Sequence, residues 1–248
     1  MAAMTAVGII PARWGATRFP GKPLARIAGQ PMIQRVWEGA RQAKCLREVL
    51  VATDDSRIAD ACRAFGAPVA MTAVGHPTGT DRIAEVAASL DDEIVVNVQG
   101  DEPLIEGFVI DAAVDALRAD PDAALSTVVH PMAAEAVADP NRVKVVLDRG
   151  GRALWFSRSP IPAAARPEAP PHWLQHVGLY AYRRTFLLEY VRLPRTPAEQ
   201  AEGLEQLRVL EHGHAIRAAQ IEGWESRAVD VPADVAEVEA ALAERAAC

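Results

Sequence analysis

Short apolar runs alternate with amphipathic helical patterns through the first half of the chain, and that alternation points to a parallel sheet joined by crossover helices. Val7–Pro11, Val49–Thr53, Pro68–Met71 and Glu93–Gln99 read as strands, with helices at Pro31–Lys44, Ser56–Phe65, Thr80–Leu90 and Glu106–Arg118. On the first helix Ile33, Val36, Trp37 and Ala40 share one face. The second half is less regular. Leu125–His130, Arg142–Leu147, Arg152–Phe156 and Val177–Tyr182 predict strands; Thr185–Val191, Ala198–Gly203 and Leu204–His212 predict helices. The stretch Pro160–Trp173 holds five prolines and three consecutive alanines and predicts an extended arm. A strand near Arg227–Val229 and a helix over Pro232–Ala246 close the chain. The expected fold is therefore α/β: a doubly wound, mostly parallel core over residues 1–124 and 216–248, with a smaller lobe inserted at 125–215.

Composition narrows the function. The 248 residues are 50% apolar and 24% charged, an ordinary soluble balance. A net charge of −7 argues against a nucleic-acid partner, which needs an extended basic surface, yet leaves room for a local cationic site. Cys45, Cys62 and Cys248 form no C-x-x-C pair, so neither a disulfide framework nor a zinc site is expected. A reducing cytoplasm suits them. The first residues carry no basic leader and no apolar run approaches membrane-spanning length, so no membrane insertion is expected.

Three cations gather directly after the first strand. Arg13, Arg18 and Lys22 stand among Gly15 and Gly21, with Pro20 and Pro23 stiffening the far side. Glycine lets backbone approach a ligand closely, and two guanidiniums with one ammonium match a compact polyanion such as a triphosphate. The loop is neither a Walker A sequence nor a G-x-G-x-x-G. A second strand runs into Gln99-Gly100-Asp101-Glu102-Pro103, which places Asp101 to hold a hard cation such as Mg²⁺; a Gly-Asp turn with a solvated Glu102 is the plain alternative. Asp230, ahead of Pro232, reads either as a helix N-cap or as a second carboxylate for that cation. In His76-Pro77-Thr78-Gly79-Thr80-Asp81-Arg82, Thr78 or Thr80 can cap a helix and Arg82 can face solvent, or the same groups can read the edge of a base. Leu204, Leu207 and Leu210 form a stripe fit for a core or a subunit seam, and His176, Gly178 and Tyr180 share one face of a strand.

Together these segments resemble the 3-deoxy-manno-octulosonate cytidylyltransferase (CMP-Kdo synthetase) family, a nucleotidyltransferase-type fold. The resemblance runs nearly end to end: I-I-P-A-R, R-x-P-G-K-P-L, V-A-T-D, G-T-D-R, V-N-V-Q-G-D-E-P, V-K-V-V-L-D, F-S-R, H-x-G-x-Y, L-E-Q-L-R-V-L and V-D-x-P. It implies transfer of CMP from CTP to the eight-carbon sugar acid Kdo, with Mg²⁺ required and no covalent nucleophile. It implies that Arg13, Arg18 and Lys22 bind the triphosphate, that Asp101 and Asp230 hold Mg²⁺, and that Thr80, Arg82 and the Gln99-Gly100 region place the cytidine. Gln99, His176, Tyr180, Glu205 and Gln206 would surround the sugar acid, with Lys144 and Arg158 close by. It also implies a homodimer joined through the lobe. The chain departs from the family at Gly15-Ala16, where Ala-Ser is usual, at Ala163, at Ser226-Arg227-Ala228 and at Val231. Two rivals stand beside this reading: a cytidylyltransferase for 8-amino-Kdo or sialic acid, and a catalytically silent nucleotide-sugar sensor.

Overall fold

Strand β1 (Ala6–Ala12) is apolar on both faces, and Val7, Ile9 and Ile10 are fully buried, as a central strand of a parallel sheet requires. In the computed structural model, which describes residues 4–15, 19–166, 168 and 171–247, the chain forms two compact units: Met1–Asp111 with Ser226–Cys248, and Ala112–Glu225. After β1 come a small hairpin, β2 (Arg26–Ile27) and β3 (Gln30–Pro31), then α1 (Met32–Ala40) and β4 (Leu46–Thr53). Next are α2 (Ser56–Ala64), β5 (Val69–Met71), α3 (Gly79–Ala87), β6 (Ile94–Asn97) and α4 (Gly107–Ala119).

In the first unit the strands lie in the order β6-β1-β4-β5, every neighbouring pair parallel. Their carboxyl ends therefore share one edge, where open α/β sheets bind ligands. Helix α1 buries Met32, Ile33, Val36, Trp37 and Ala40, and the Trp37 indole donates to the Val49 carbonyl at 3.1 Å. On α1, Gly39 meets the turn that follows β6 so closely that a Cβ there would stand 2.2 Å from the Ile105 carbonyl oxygen. That contact fixes the height of the 99–105 turn against the helix. The Asp55 carboxylate caps α2 by accepting from the Arg57 amide at 2.9 Å.

The second unit is a mixed sheet. It contains β7 (Ala123–Pro131), β8 (Lys144–Leu147), β9 (Ala153–Ser157), β10 (Leu174–Arg183), α5 (Arg184–Tyr190), α6 (Pro197–Glu202), α7 (Gln206–Glu211) and β11 (Ala215–Gln220). Strand β10 runs antiparallel to β7 and β8, β8 antiparallel to β9, and β11 parallel to β7. A bulge breaks β10 between Val177 and Tyr180, where the Thr127 hydroxyl lies 3.0 and 2.8 Å from the Val177 and Leu179 carbonyl oxygens. Between α6 and α7, the Arg208 guanidinium makes a buried fork on the Glu199 carboxylate.

The chain then returns to the first unit, where the Val229 amide donates to the Asp101 carbonyl at 2.9 Å. Helix α8 (Asp234–Ala247) packs Val238 and Ala241 with Ile27, Met32, Leu104 and Val229. Two expectations fail in this last third. The strand expected at Arg227–Val229 does not form, and a strand forms instead at Ala215–Gln220. That segment, Ala-Ile-Arg-Ala-Ala-Gln, has one β-branched residue, so pairing with β7 rather than its own propensity makes it a strand. The last helix starts at Asp234, not Pro232, and the Asp234 carboxylate accepts from the Asp230 and Val231 amides at 2.7 and 2.9 Å. Asp230 is thus too far upstream to cap α8. No helix among the described residues is long and apolar enough to cross a membrane.

Candidate active site

At the carboxyl edge of the first unit's sheet the chain closes around a cavity of about 340 Å³. Its lining comes from three strand-end segments and the returning chain: Arg13, Lys22, Gln99, Gly100, Asp101 and Asp230, joined by Thr78, Gly79, Arg82 and the previously unassigned His76 and Phe19. Parallel strands β1 and β6 deliver the first two groups side by side, and a Cβ on Gly100 would meet the Pro11 carbonyl oxygen at 3.0 Å. Arg18 lies outside the described residues.

Part of the lining is an ammonium between two carboxylates. Lys22 Nζ stands 2.8 Å from Asp101 Oδ2, 3.8 Å from Asp230 Oδ1, and donates to the Val229 carbonyl at 2.9 Å. All three groups remain partly open to solvent, with side-chain exposures of 16% for Lys22, 29% for Asp101 and 46% for Asp230. The cavity lining thus sets the Arg13 and Lys22 cations beside two carboxylates.

Glu102 is not solvated. Its carboxyl is 6% exposed, accepts the Ser226 hydroxyl, and leaves its second oxygen without a hydrogen-bond partner among the described residues. Burial pushes this carboxyl up to about 7, the nearby charges of Asp101 and Asp230 add to that, and the Ser226 hydroxyl and Arg227 amide partly oppose it. The group holds a proton close to neutral pH. Its burial was hidden because the covering residue, Ser226, is far along the chain. The apolar stretch Pro103-Leu104-Ile105 directly after it was the available signal.

Arg82 likewise does not face solvent. It is 3% exposed, bonded to the Thr72 hydroxyl and 3.3 Å from the Asp54 carboxylate. The N-cap of α3 is Thr78, in a capping box with Asp81, and Thr80 is buried in the first turn. Thr78 and Gly79 line the cavity, as does Arg82, a guanidinium already anchored by an acid.

The second unit holds the remaining candidates. His176 is 8% exposed, edge-on to Phe156 at 5.0 Å and 5.4 Å from the Tyr180 ring, and its Nε2 has no hydrogen-bond partner among the described residues. Burial pushes its imidazole down to about 3, so the ring is neutral. Burial also raises the Tyr180 phenol well above its ordinary range. Gln206, at the start of α7, is buried, its amide nitrogen without a hydrogen-bond partner among the described residues, and the preceding Glu205 carbonyl accepts the Tyr190 hydroxyl at 2.9 Å. Lys144 is fully buried and donates to the Asp139 carbonyl at 2.9 Å and to the Arg158 carbonyl; burial lowers its pKa. Arg158 directs its guanidinium to the Glu202 and Pro140 carbonyls at 2.7 and 2.9 Å.

Comparison with known proteins gives this geometry a context. The family model described as cytidylyltransferase matches residues 7–216. A 3-deoxy-manno-octulosonate cytidylyltransferase of Syntrophotalea carbinolica is 51% identical, over 96% of this chain and 99% of its own length. One from Geobacter metallireducens is 50% identical over 95% and 96%. A solved structure of CMP:2-keto-3-deoxy-manno-octonic acid synthetase complexed with CTP superposes with a TM-score of 0.92 at 44% identity, covering 97% of this chain and 99% of that one.

Proposed function

Because the chain belongs to the 3-deoxy-manno-octulosonate cytidylyltransferase family, we propose that it transfers CMP from CTP to the anomeric hydroxyl of Kdo, releasing pyrophosphate. The observation that carries this reading is the Lys22 ammonium set between the Asp101 and Asp230 carboxylates in one cavity with Arg13. In-line displacement at the α-phosphorus demands positioning and charge neutralisation rather than a covalent nucleophile. Arg13 and Lys22, with Arg18, hold the triphosphate and offset the charge that builds on departing pyrophosphate. The α3 N-terminus with Arg82, together with Thr80 and Gln99-Gly100, positions the cytidine.

Asp101 and Asp230 suit Mg²⁺, which takes one or two carboxylates and completes its shell with phosphate oxygens and water. Bound there, the ion would polarise the α-phosphate and lower the pKa of the attacking hydroxyl. Lys22 holds the two carboxylates close to one another before any ligand arrives.

For the sugar acid we assign His176, Tyr180, Glu205 and Gln206 in the second unit. His176 Nε2 and the Gln206 amide nitrogen, which have no hydrogen-bond partner among the described residues, support this, since buried polar groups left without partners are costly unless a ligand meets them. A neutral imidazole can serve a sugar hydroxyl as donor or acceptor. Lys144 and Arg158 stiffen the frame behind them through backbone carbonyls. We further assign the protein to the cytoplasm, and to a homodimer joined through the second unit, where Leu154 and Trp155 of β9 stay exposed. Pyrophosphate release from CTP with Kdo, 8-amino-Kdo or sialic acid tests the activity. Turnover with Kdo is expected; preference for another acid would change the substrate, and no release with any would leave a nucleotide-sugar sensor.

A further inference from the structure

Arg13 and Lys22 are separated by a loop whose two ends are pinned by one aromatic ring. Trp14 follows Arg13, Gly21 precedes Lys22, and the Gly21 amide donates to the Trp14 carbonyl at 3.1 Å. Gly21 sits in the left-handed region at φ +72°, and a Cβ there would meet the Trp14 indole at 3.1 and 3.2 Å. The ring therefore lies against the glycine at the loop's other end, a contact only glycine allows.

The Arg57 guanidinium also packs over this indole, its central carbon 3.5 Å from the ring centroid. Arg57 is held in turn by a fork onto Asp55, with Nε and Nη2 at 3.0 and 2.6 Å from the two carboxylate oxygens. Asp55 is the residue that caps α2. A continuous chain of contacts thus runs from the α2 N-terminus through Asp55, Arg57 and Trp14 to Gly21, and ends at the two cations. Neither Trp14 nor Arg57 lines the cavity. Their effect on a ligand has to pass through the loop.

We propose that Trp14 and Arg57 are positioning residues that set the spacing of Arg13 and Lys22 for the triphosphate. Guanidinium over indole is the strongest of the common cation–π pairings, and planar stacking restrains the ring without limiting access to the cavity. The inference rests on the reading of this loop as the triphosphate site. Its consequence is selective: nucleotide binding depends on the stack, and sugar-acid binding does not.

The test is equilibrium binding of CTP to the purified protein without Kdo, together with KM for both substrates, for Trp14→Ala, Trp14→Phe, Arg57→Ala, the Trp14/Arg57 double alanine variant and Lys22→Ala. Trp14→Ala is expected to weaken CTP about tenfold and Arg57→Ala about threefold, with the KM for Kdo unchanged. Trp14→Phe keeps a ring and should retain most of the affinity, which covers the case in which the alanine variant fails to fold. The double variant should be no weaker than Trp14→Ala alone, since both residues act through one stack. If Lys22→Ala loses CTP while Trp14→Ala, Trp14→Phe and Arg57→Ala all bind as the parent does, the stack is a surface ornament and the proposal fails. If Lys22→Ala itself binds CTP normally, the loop is not the triphosphate site and the wider reading fails with it.

Discussion

The two candidate regions satisfy their polar groups in opposite ways. In the first unit, Lys22, Asp101 and Asp230 are charged, partly exposed and already paired with one another. In the second, His176 and Gln206 are uncharged and deeply buried, each with one nitrogen lacking a partner among the described residues. The difference matches the ligands we assign. A triphosphate arrives with its own cations and can exchange ion pairs with a wet cavity at modest cost, because exposed pairs are worth little. A polyhydroxy acid must be recognised by directional hydrogen bonds, which discriminate best where water cannot substitute for them.

The comparison breaks most visibly at Asp101. Asp101→Asn should lower turnover by at least about a hundredfold while thermal unfolding stays near that of the parent. A rate near the parent's would remove Asp101 from the metal role. At Gln206 the sign on stability reverses. Gln206→Leu should raise the KM for Kdo about tenfold and leave that for CTP unchanged, while Tm holds or rises because a buried amide nitrogen with no partner among the described residues has been removed. A fall in Tm, or an equal loss for CTP, would show that the amide is structural.

Glu102 gives the charged region a buried member and a pH signature. Its carboxyl rises from an ordinary 4.5 to about 7 on folding, so the folded chain holds a proton that the unfolded chain releases. Parent stability should therefore fall as pH climbs from about 4.5 to about 7 and level off above. Glu102→Gln lacks that titration, so its advantage over the parent should grow through the same window, by on the order of a few kcal/mol. Urea denaturation at pH 4.5 and pH 8 checks this; a constant difference would mean that Glu102 ionises freely. The smallest effect is expected at Thr78, where alanine removes the α3 cap and should cost about 1 kcal/mol in the same measurement.

Much of the first region was legible because parallel strands place their carboxyl ends on one edge, so charges directly after Pro11 and Gln99 had to converge. Burial was less legible. Arg82 reads as a surface residue until Thr72 and Asp54 close on it, and Glu102 reads as solvated until Ser226 returns from the far end of the chain. The second region was harder still. The alternation of His176, Gly178 and Tyr180 is interrupted by the β10 bulge, and nothing local in Ala215–Gln220 announces a strand. Such features are set by partners, not by the segment itself.

Gly39 carries a lesson for mutational tolerance. A helix that looks from its surface like ordinary scaffolding touches the Ile105 carbonyl at a point where even a methyl group has no room. Variation along α1 should be accepted freely at the half-exposed Gln34 and Glu38 and rejected at Gly39, although it lies away from the cavity lining. A screen for loss of activity would thus return a silent-looking helix position as a knockout, its damage relayed through one displaced turn to the carboxylates of Asp101 and Glu102.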